Sequence, residues 1–322
     1  MVDNIVLFLM QLNGMSRKTI YKYFQLENGE YSLSDIQMLI KEAALDTRKI
    51  SIPSIQELEN TYDKYKTIVD RSQELGIRII SYLDRDFPVK FRKISDPPAM
   101  VYTKGNIDCL NEKSIAVIGT REPTEYGAKI AEQLGFVLGR DGYTVVSGLA
   151  YGCDRFGHEG CLRAGGKTAA VMAGGLDKIY PAKHRELAAE IVEEGGCLIS
   201  EYPINSRVYQ NYFIERDRLQ SGLSEGIIVV ETDVKGGTWH TIHYAEEYSR
   251  RIGCYKHPEK FLSERKTQGN QKLLKERGTL GIANNEDLSE YKKLVDQRHT
   301  ELMQVDTVVK ITQPSFLGIM GG

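Results

Sequence analysis

The sequence predicts a doubly wound parallel α/β sheet behind a small helical domain, and three observations predict it. Between residues 114 and 251, short apolar runs alternate with helix-length stretches; some of the runs, such as 115–118 and 227–230, are apolar throughout; and glycines and polar residues gather just after each run. Strands that are apolar on both faces belong in a sheet covered by helices on both sides. Regular alternation of strand and helix feeds parallel strands, and such sheets bind ligands outside the carboxyl ends of their strands.

Taken in order, residues 1 to about 65 read as helical, with apolar positions at helical spacing over 5–10, 20–24 and 36–40. Between the first two lies Leu12-Asn13-Gly14-Met15-Ser16-Arg17-Lys18-Thr19. It resembles a helix-hairpin-helix, in which Gly14 permits the tight turn and the next helix's amides receive a phosphate. An ordinary turn in a helical bundle fits equally well, because Ser16 stands where the motif has its second glycine. Residues 77–82 and 99–102 read as strands separated by Asp96-Pro97-Pro98, a turn because two prolines block both helix and ladder.

The sheet proper follows. Strands are expected at 114–119, 143–147, 168–172, 197–200 and 226–231, and helices at 126–140, 154–164, 184–194, 212–223 and 239–251. Past about 260 the chain is charge-rich, as in Glu264-Arg265-Lys266, and no second core is expected. The expected organisation is a helical domain over 1–70, the α/β domain over 71–260, and a C-terminal extension over 261–322 without a clear winged helix.

Composition bounds the function. The 322 residues are 41% hydrophobic and 27% charged, enough apolar material for a core and too little bias for disorder. The five cysteines form no C-x-x-C pair, so neither zinc nor a redox dithiol is expected, and reduced thiols point to a cytoplasmic protein. No membrane span or leader is expected from the short apolar run after Asp3. A formal charge of −2 means that any nucleic-acid site must be a local patch.

The loops after the strands carry the chemistry. The first strand ends in Gly119-Thr120-Arg121, which offers close backbone approach, a hydroxyl and a guanidinium fork. The second ends in Ser147-Gly148-Leu149-Ala150-Tyr151-Gly152-Cys153-Asp154, with Asp154 as a helix cap and His158 one turn on, where a core histidine is the plainer reading. The third leads into Gly174-Gly175-Leu176-Asp177 and Tyr180-Pro181, and the fifth into Lys235-Gly236-Gly237-Thr238. Glycines before a helix start make an anion site from amides and dipole. The G-x-G-x-x-G spacing of dinucleotide sites is absent after the first strand, so no cofactor is expected, and no catalytic or metal-ligand constellation emerges. In Phe213-Ile214-Glu215-Arg216-Asp217-Arg218-Leu219, Arg216 and Arg218 diverge by about 200° on a helix, so one can reach a ligand while the other pairs elsewhere.

Read together, these stretches resemble the DprA/Smf DNA-processing family. The likeness also takes in Ala164-Gly165-Gly166-Lys167-Thr168, Gly175-Leu176-Asp177-Lys178-Ile179-Tyr180-Pro181, Ser200-Glu201-Tyr202-Pro203 and Asp96-Pro97-Pro98, and spans residues 1 to about 255. It implies an extended Rossmann-like fold behind a helical SAM-like domain, and a protein that binds single-stranded DNA, forms a homodimer and loads RecA recombinase during recombination or natural transformation. It further implies that Arg121, Ser147, Gly148, Arg216, Arg218 and Thr238 line a DNA pocket, with Lys183 a further candidate. Tyr151 stands where the family has arginine, Asp217 where it has asparagine, and Gly236-Gly237-Thr238 where it has serine-glycine-serine. An aromatic at 151 can stack a base.

A second reading is a nucleotide sensor of a kind used in phage defence, or a nucleotide phosphoribohydrolase. Gly236-Gly237-Thr238 is similar to the glycine-threonine loop of the cytokinin-activating phosphoribohydrolases. Their glutamate follows that loop within a turn, whereas here the first acids are Glu246 and Glu247.

Overall fold

The computed structural model describes residues 1–276 and 278–304. Four helices open the chain: α1 (Ile5–Met10), α2 (Arg17–Tyr23), α3 (Leu33–Leu45) and α4 (Ile55–Glu74). Their starts are written in the sequence, since Ser32 with Asp35 and Ser54 with Glu57 form reciprocal capping boxes. Gly14 makes the turn before α2 at φ +77°, and Ser16 caps that helix through Thr19 N–H. The α2 start is not open to an anion. Arg17 reaches over it to Asp96 at 2.7 Å and Glu215 at 2.9 Å, tying the helical region to the sheet.

The remainder is one nine-stranded sheet in the order β1-β2-β6-β5-β4-β3-β7-β8-β9. Its strands are β1 (Arg78–Ser81), β2 (Met100–Gly105), β3 (Ser114–Ile118), β4 (Thr144–Ser147), β5 (Thr168–Met172), β6 (Cys197–Ser200), β7 (Gly226–Val229), β8 (Arg251–Tyr255) and β9 (Thr279–Ile282). The first two pair antiparallel, β2 joins β6 antiparallel, and from β6 to β9 every neighbour is parallel. The helices are α5 (Glu125–Arg140), α6 (Cys153–Arg163), α7 (Arg185–Glu193), α8 (Gln210–Leu223), α9 (Thr238–Glu247), α10 (Gln268–Leu273) and α11 (Asn285–Met303). They cover both faces and divide the core into two clusters. One, around Ile115, Val117, Val145 and Ile228, lies under α5, α6 and α11; the other, around Ala116, Val146 and Ile227, runs on into the N-terminal helices. This is the expected doubly wound, Rossmann-like α/β fold.

Two features depart from the sequence reading. The helix expected to run to residue 251 stops at Glu247, where Ser249 at φ +54° turns the chain, and Arg251–Tyr255 pairs with β7 instead. The sheet also continues past 260, where an extension is expected: β9 adds a parallel edge strand, and α11 buries Tyr291 and Val295 against β7 and β8. The last part of that extension, 305–322, lies outside the described residues.

The chain runs outward through β3, β4, β5 and β6, then returns to place β7 on the other side of β3. The loops after β3 and β7 therefore part at the carboxyl ends of adjacent strands, and a crevice opens between them. No helix among the described residues is long and apolar enough to cross a membrane.

Candidate nucleic-acid interface

The crevice is an open cleft of about 850 Å³ at this switch point. One wall is Gly119, Thr120 and Arg121 after β3; the other is Lys235, Gly236, Gly237 and Thr238 before α9; Asp154, Arg216 and Asp217 lie at its base. A narrower recess adjoins it, lined by Arg121, Gly148, Tyr151, Lys178, Tyr180, Phe213 and Arg216.

Local sequence explains this shape. Gly152 turns the loop after β4 at φ +77°, and any side chain there would run into the Thr120 and Arg121 backbone. Gly148 is required for a different reason: a Cβ would overlap the Arg216 guanidinium, which lies across the end of β4 and donates to Val171 O at 3.3 Å. The α6 helix begins at Gly152 without a side-chain cap, while Asp154 in its first turn accepts from the Gly148 N–H at 3.1 Å and the Ala150 N–H at 3.4 Å.

Two of the anion-friendly amide clusters are thus filled by the protein's own carboxylates. Asp154 holds the loop after β4. Glu231, after β7, accepts from Thr124 N–H at 2.8 Å and Thr124 Oγ at 2.6 Å and closes the start of α5. The α9 start is different: Gly237 caps it without a side-chain bond, and Gly237 and Thr238 face the cleft.

The electrostatics divide between rim and floor. On the rim, Arg121, Lys178 and Lys235 are exposed and make no ion pair among the described residues. The Arg121 guanidinium lies 5.2 Å from the Phe213 ring centre, a cation–π contact. Arg265 pairs with Asp233, and Lys266 stands 3.5 Å from Glu122, so these cleft cations are partly neutralised. On the floor, Arg216 lies 3.7 Å from Asp154 and 3.3 Å from Asp217, one cation between two acids. Burial raises both carboxyls against the pull of Arg216, Asp217 to about 7. His158 is wholly buried, with Nδ1 2.6 Å from Thr168 Oγ1, and burial lowers it to about 3; it is a neutral core residue.

Of the residues singled out from sequence, the fold brings Gly119, Thr120, Arg121, Arg216, Gly236, Gly237 and Thr238 to the cleft and Gly148 and Tyr151 to the recess. Three stand elsewhere. Ser147 is buried and donates to Val117 O at 2.7 Å, because its position in β4 points its hydroxyl across the ladder. Arg218 is wholly buried on the opposite flank of α8, donating to Glu201 and to the Asp96 carbonyl. Lys183 is exposed in the short turn Ala182–His184 and lines neither space; Lys178 supplies the lysine of the recess. Sequence reasoning missed Lys178, Tyr180, Val208 and Lys235 as lining residues. The first two lie inside a motif it quoted, and Lys235 opens one.

A family model described as DNA recombination-mediator protein A matches residues 78–292. The DNA processing protein DprA of Bacillus subtilis is 36% identical over 197 residues, covering 61% of this chain and 66% of that protein. The X-ray structure of DNA processing protein A from Streptococcus pneumoniae superposes with a TM-score of 0.63 at 27% identity, over 81% of this chain and 87% of that one. A structure of the Helicobacter pylori protein, determined for its single-stranded DNA binding mode, gives 0.59 at 26% identity over 69% and 96%. The chain spans about half to two thirds of the length of the curated relatives it matches first. With two thirds of its residues inside the family model, the chain belongs to the DNA recombination-mediator protein A family, the DprA/Smf proteins.

Proposed function

We propose that this chain is a cytoplasmic single-stranded DNA-binding protein of DNA processing, acting in recombination or natural transformation by binding rather than catalysis. The observation that carries the reading is the rim of the cleft and its recess, where Arg121, Lys178 and Lys235, without an ion pair among the described residues, share the lining with Tyr151, Tyr180 and Phe213. Cations that track a backbone next to aromatic faces that stack bases are the common means of holding single strands. The relative from Helicobacter pylori, solved for its single-stranded DNA binding mode, supports the same ligand class. Protection of strands, loading of RecA and homodimer formation belong to this reading as its cellular consequence.

The alternative of nucleotide hydrolysis finds less support. Glu246 stands 3.3 Å from His243 and Glu247 accepts from Ser95 Oγ, so neither acid faces the Gly236-Gly237-Thr238 loop. Competition between a labelled single strand and unlabelled duplex tests the proposal. Single strand should win, and its log affinity should fall with log salt at a slope of about −2 if three phosphates are neutralised. Equal competition by duplex at low salt contradicts it. Base release from AMP would revive the hydrolytic alternative.

A further inference from the structure

The cleft floor is chemically unlike its rim. Arg216 is shared by two carboxylates, so with both ionised the floor carries a net negative charge and repels phosphate. What reaches the floor must offer hydrogen-bond donors. Asp154 is the more deeply buried of the two carboxylates, and its Oδ2 already accepts from the Gly148 and Ala150 amides. Asp217 can receive them. Its Oδ1 lies 3.3 Å from Arg216 Nε and, with the Gln220 amide turned, 3.1 Å from that amide's nitrogen, while none of the hydrogen bonds among the described residues falls on its Oδ2. Asp217 lines the cleft with Thr120, Ala150, Phe213 and Thr241 around it, in a space large enough for a nucleotide.

Above its titration at about 7, Asp217 is ionised, and an ionised carboxylate only accepts. Among the DNA bases, guanine alone presents two adjacent donors, its ring N1–H and its 2-amino group. Adenine and cytosine each place a ring acceptor beside the amino group, and thymine has one N–H between two carbonyls. These put an oxygen or nitrogen lone pair against the carboxylate and leave buried polar groups unpaired.

We infer that Asp217 makes the cleft selective for guanine, held by its Watson–Crick edge on the floor while Arg121 and Lys235 hold the flanking phosphates. This rests on the single-strand reading above and goes beyond it, because phosphate contacts carry no base information.

The test uses the intact protein at pH 8.5, where Asp217 is ionised, and thymidylate oligomers carrying one central guanine, adenine, cytosine or hypoxanthine. A bidentate pair discriminates by about ten-fold, so the guanine oligomer should bind about ten times more tightly than the all-thymidylate one. Hypoxanthine keeps N1–H but lacks the 2-amino group, and should lose most of that advantage. In Asp217→Asn, checked for folding by thermal melting, the guanine-to-thymine ratio should collapse toward one, because the amide replaces one acceptor with a donor. Equal binding of all four bases by the unaltered protein overturns the inference and leaves the single-strand reading standing. A guanine preference that survives in Asp217→Asn also overturns it. Failure of every oligomer to bind at low salt removes the single-strand reading itself, and the inference with it.

Discussion

The adjacent strands β3 and β7 carry a buried charge cluster at each end, and the two clusters are built oppositely. At the amino ends, Lys90 is wholly buried and lies 2.9 Å from Glu225; Ser114 N–H and His299 Nδ1 stand at 2.7 and 2.8 Å from the same carboxylate. Every oxygen there is satisfied, and these partners hold Glu225 below the usual carboxylate range despite its burial. At the carboxyl ends, Arg216 lies between Asp154 and Asp217, and among the described residues neither its Nε nor Asp217 Oδ2, at the edge of the cleft, has a hydrogen-bond partner. A closed network fixes how elements pack, and an incomplete one awaits a partner. The same sheet thus separates a clamp at one edge from a binding floor at the other.

That contrast can be broken from the structural side first. Lys90→Met leaves Glu225 buried without its main cation and should cost about 3–5 kcal/mol in denaturant unfolding, the largest effect expected here. Whatever fraction stays folded should bind DNA normally, because the site is at the far end of the strands. Arg218→Ala belongs with it. Despite its place in a cleft-lining helix, Arg218 pairs with Glu201 and the Asp96 carbonyl, so its loss should lower stability by a few kcal/mol and leave the salt dependence of binding unchanged.

The floor predicts a dependence on pH. Asp217 titrates at about 7 when folded against 3.8 for the free side chain, so between those values the folded protein holds a proton that the unfolded chain has lost. Stability from this group therefore falls as pH rises from about 4 to about 7 and is flat above. Asp217→Asn has no such proton to lose. Its stability advantage over the unaltered protein should be absent near pH 3.8 and grow to a few kcal/mol by pH 8. Urea titrations at pH 5, 6, 7 and 8 measure it; a constant gap would show that Asp217 is not held in a costly site.

Much of this was legible in the sequence, for reasons that differ by region. Strands buried on both faces announce themselves as unbroken apolar runs, and Thr168–Met172 and Cys197–Ser200 fall at their expected bounds. The edge strands do not. Arg251–Tyr255 begins with a charge and follows helical periodicity without a break, and Thr279–Ile282 is half-exposed and holds a glycine. At the candidate site, the glycine-rich stretches 119–121 and 235–238 line the cleft, where close backbone approach favours glycine whatever the ligand. Side-chain direction was beyond reach. The divergence of Arg216 and Arg218 on a helix was readable, but which of them faced the cleft depended on the packing of α8 against α9 and the central strands β3, β4 and β5. Nor could the sequence tell that Glu231 and Asp154 occupy amides that a phosphate could otherwise use.

The rim gives the smallest effect on stability and the most direct test of function. Arg121 is exposed and makes no ion pair among the described residues, so Arg121→Ala should change unfolding by no more than about 0.5 kcal/mol. Fluorescence anisotropy of a labelled oligothymidylate at several salt concentrations, on the unaltered protein and on Arg121→Ala, tests the central claim that this sheet edge holds a single strand by its phosphates. The account predicts weaker binding and a salt slope shallower by about 0.7, one phosphate contact fewer. An unchanged affinity and an unchanged slope would contradict it.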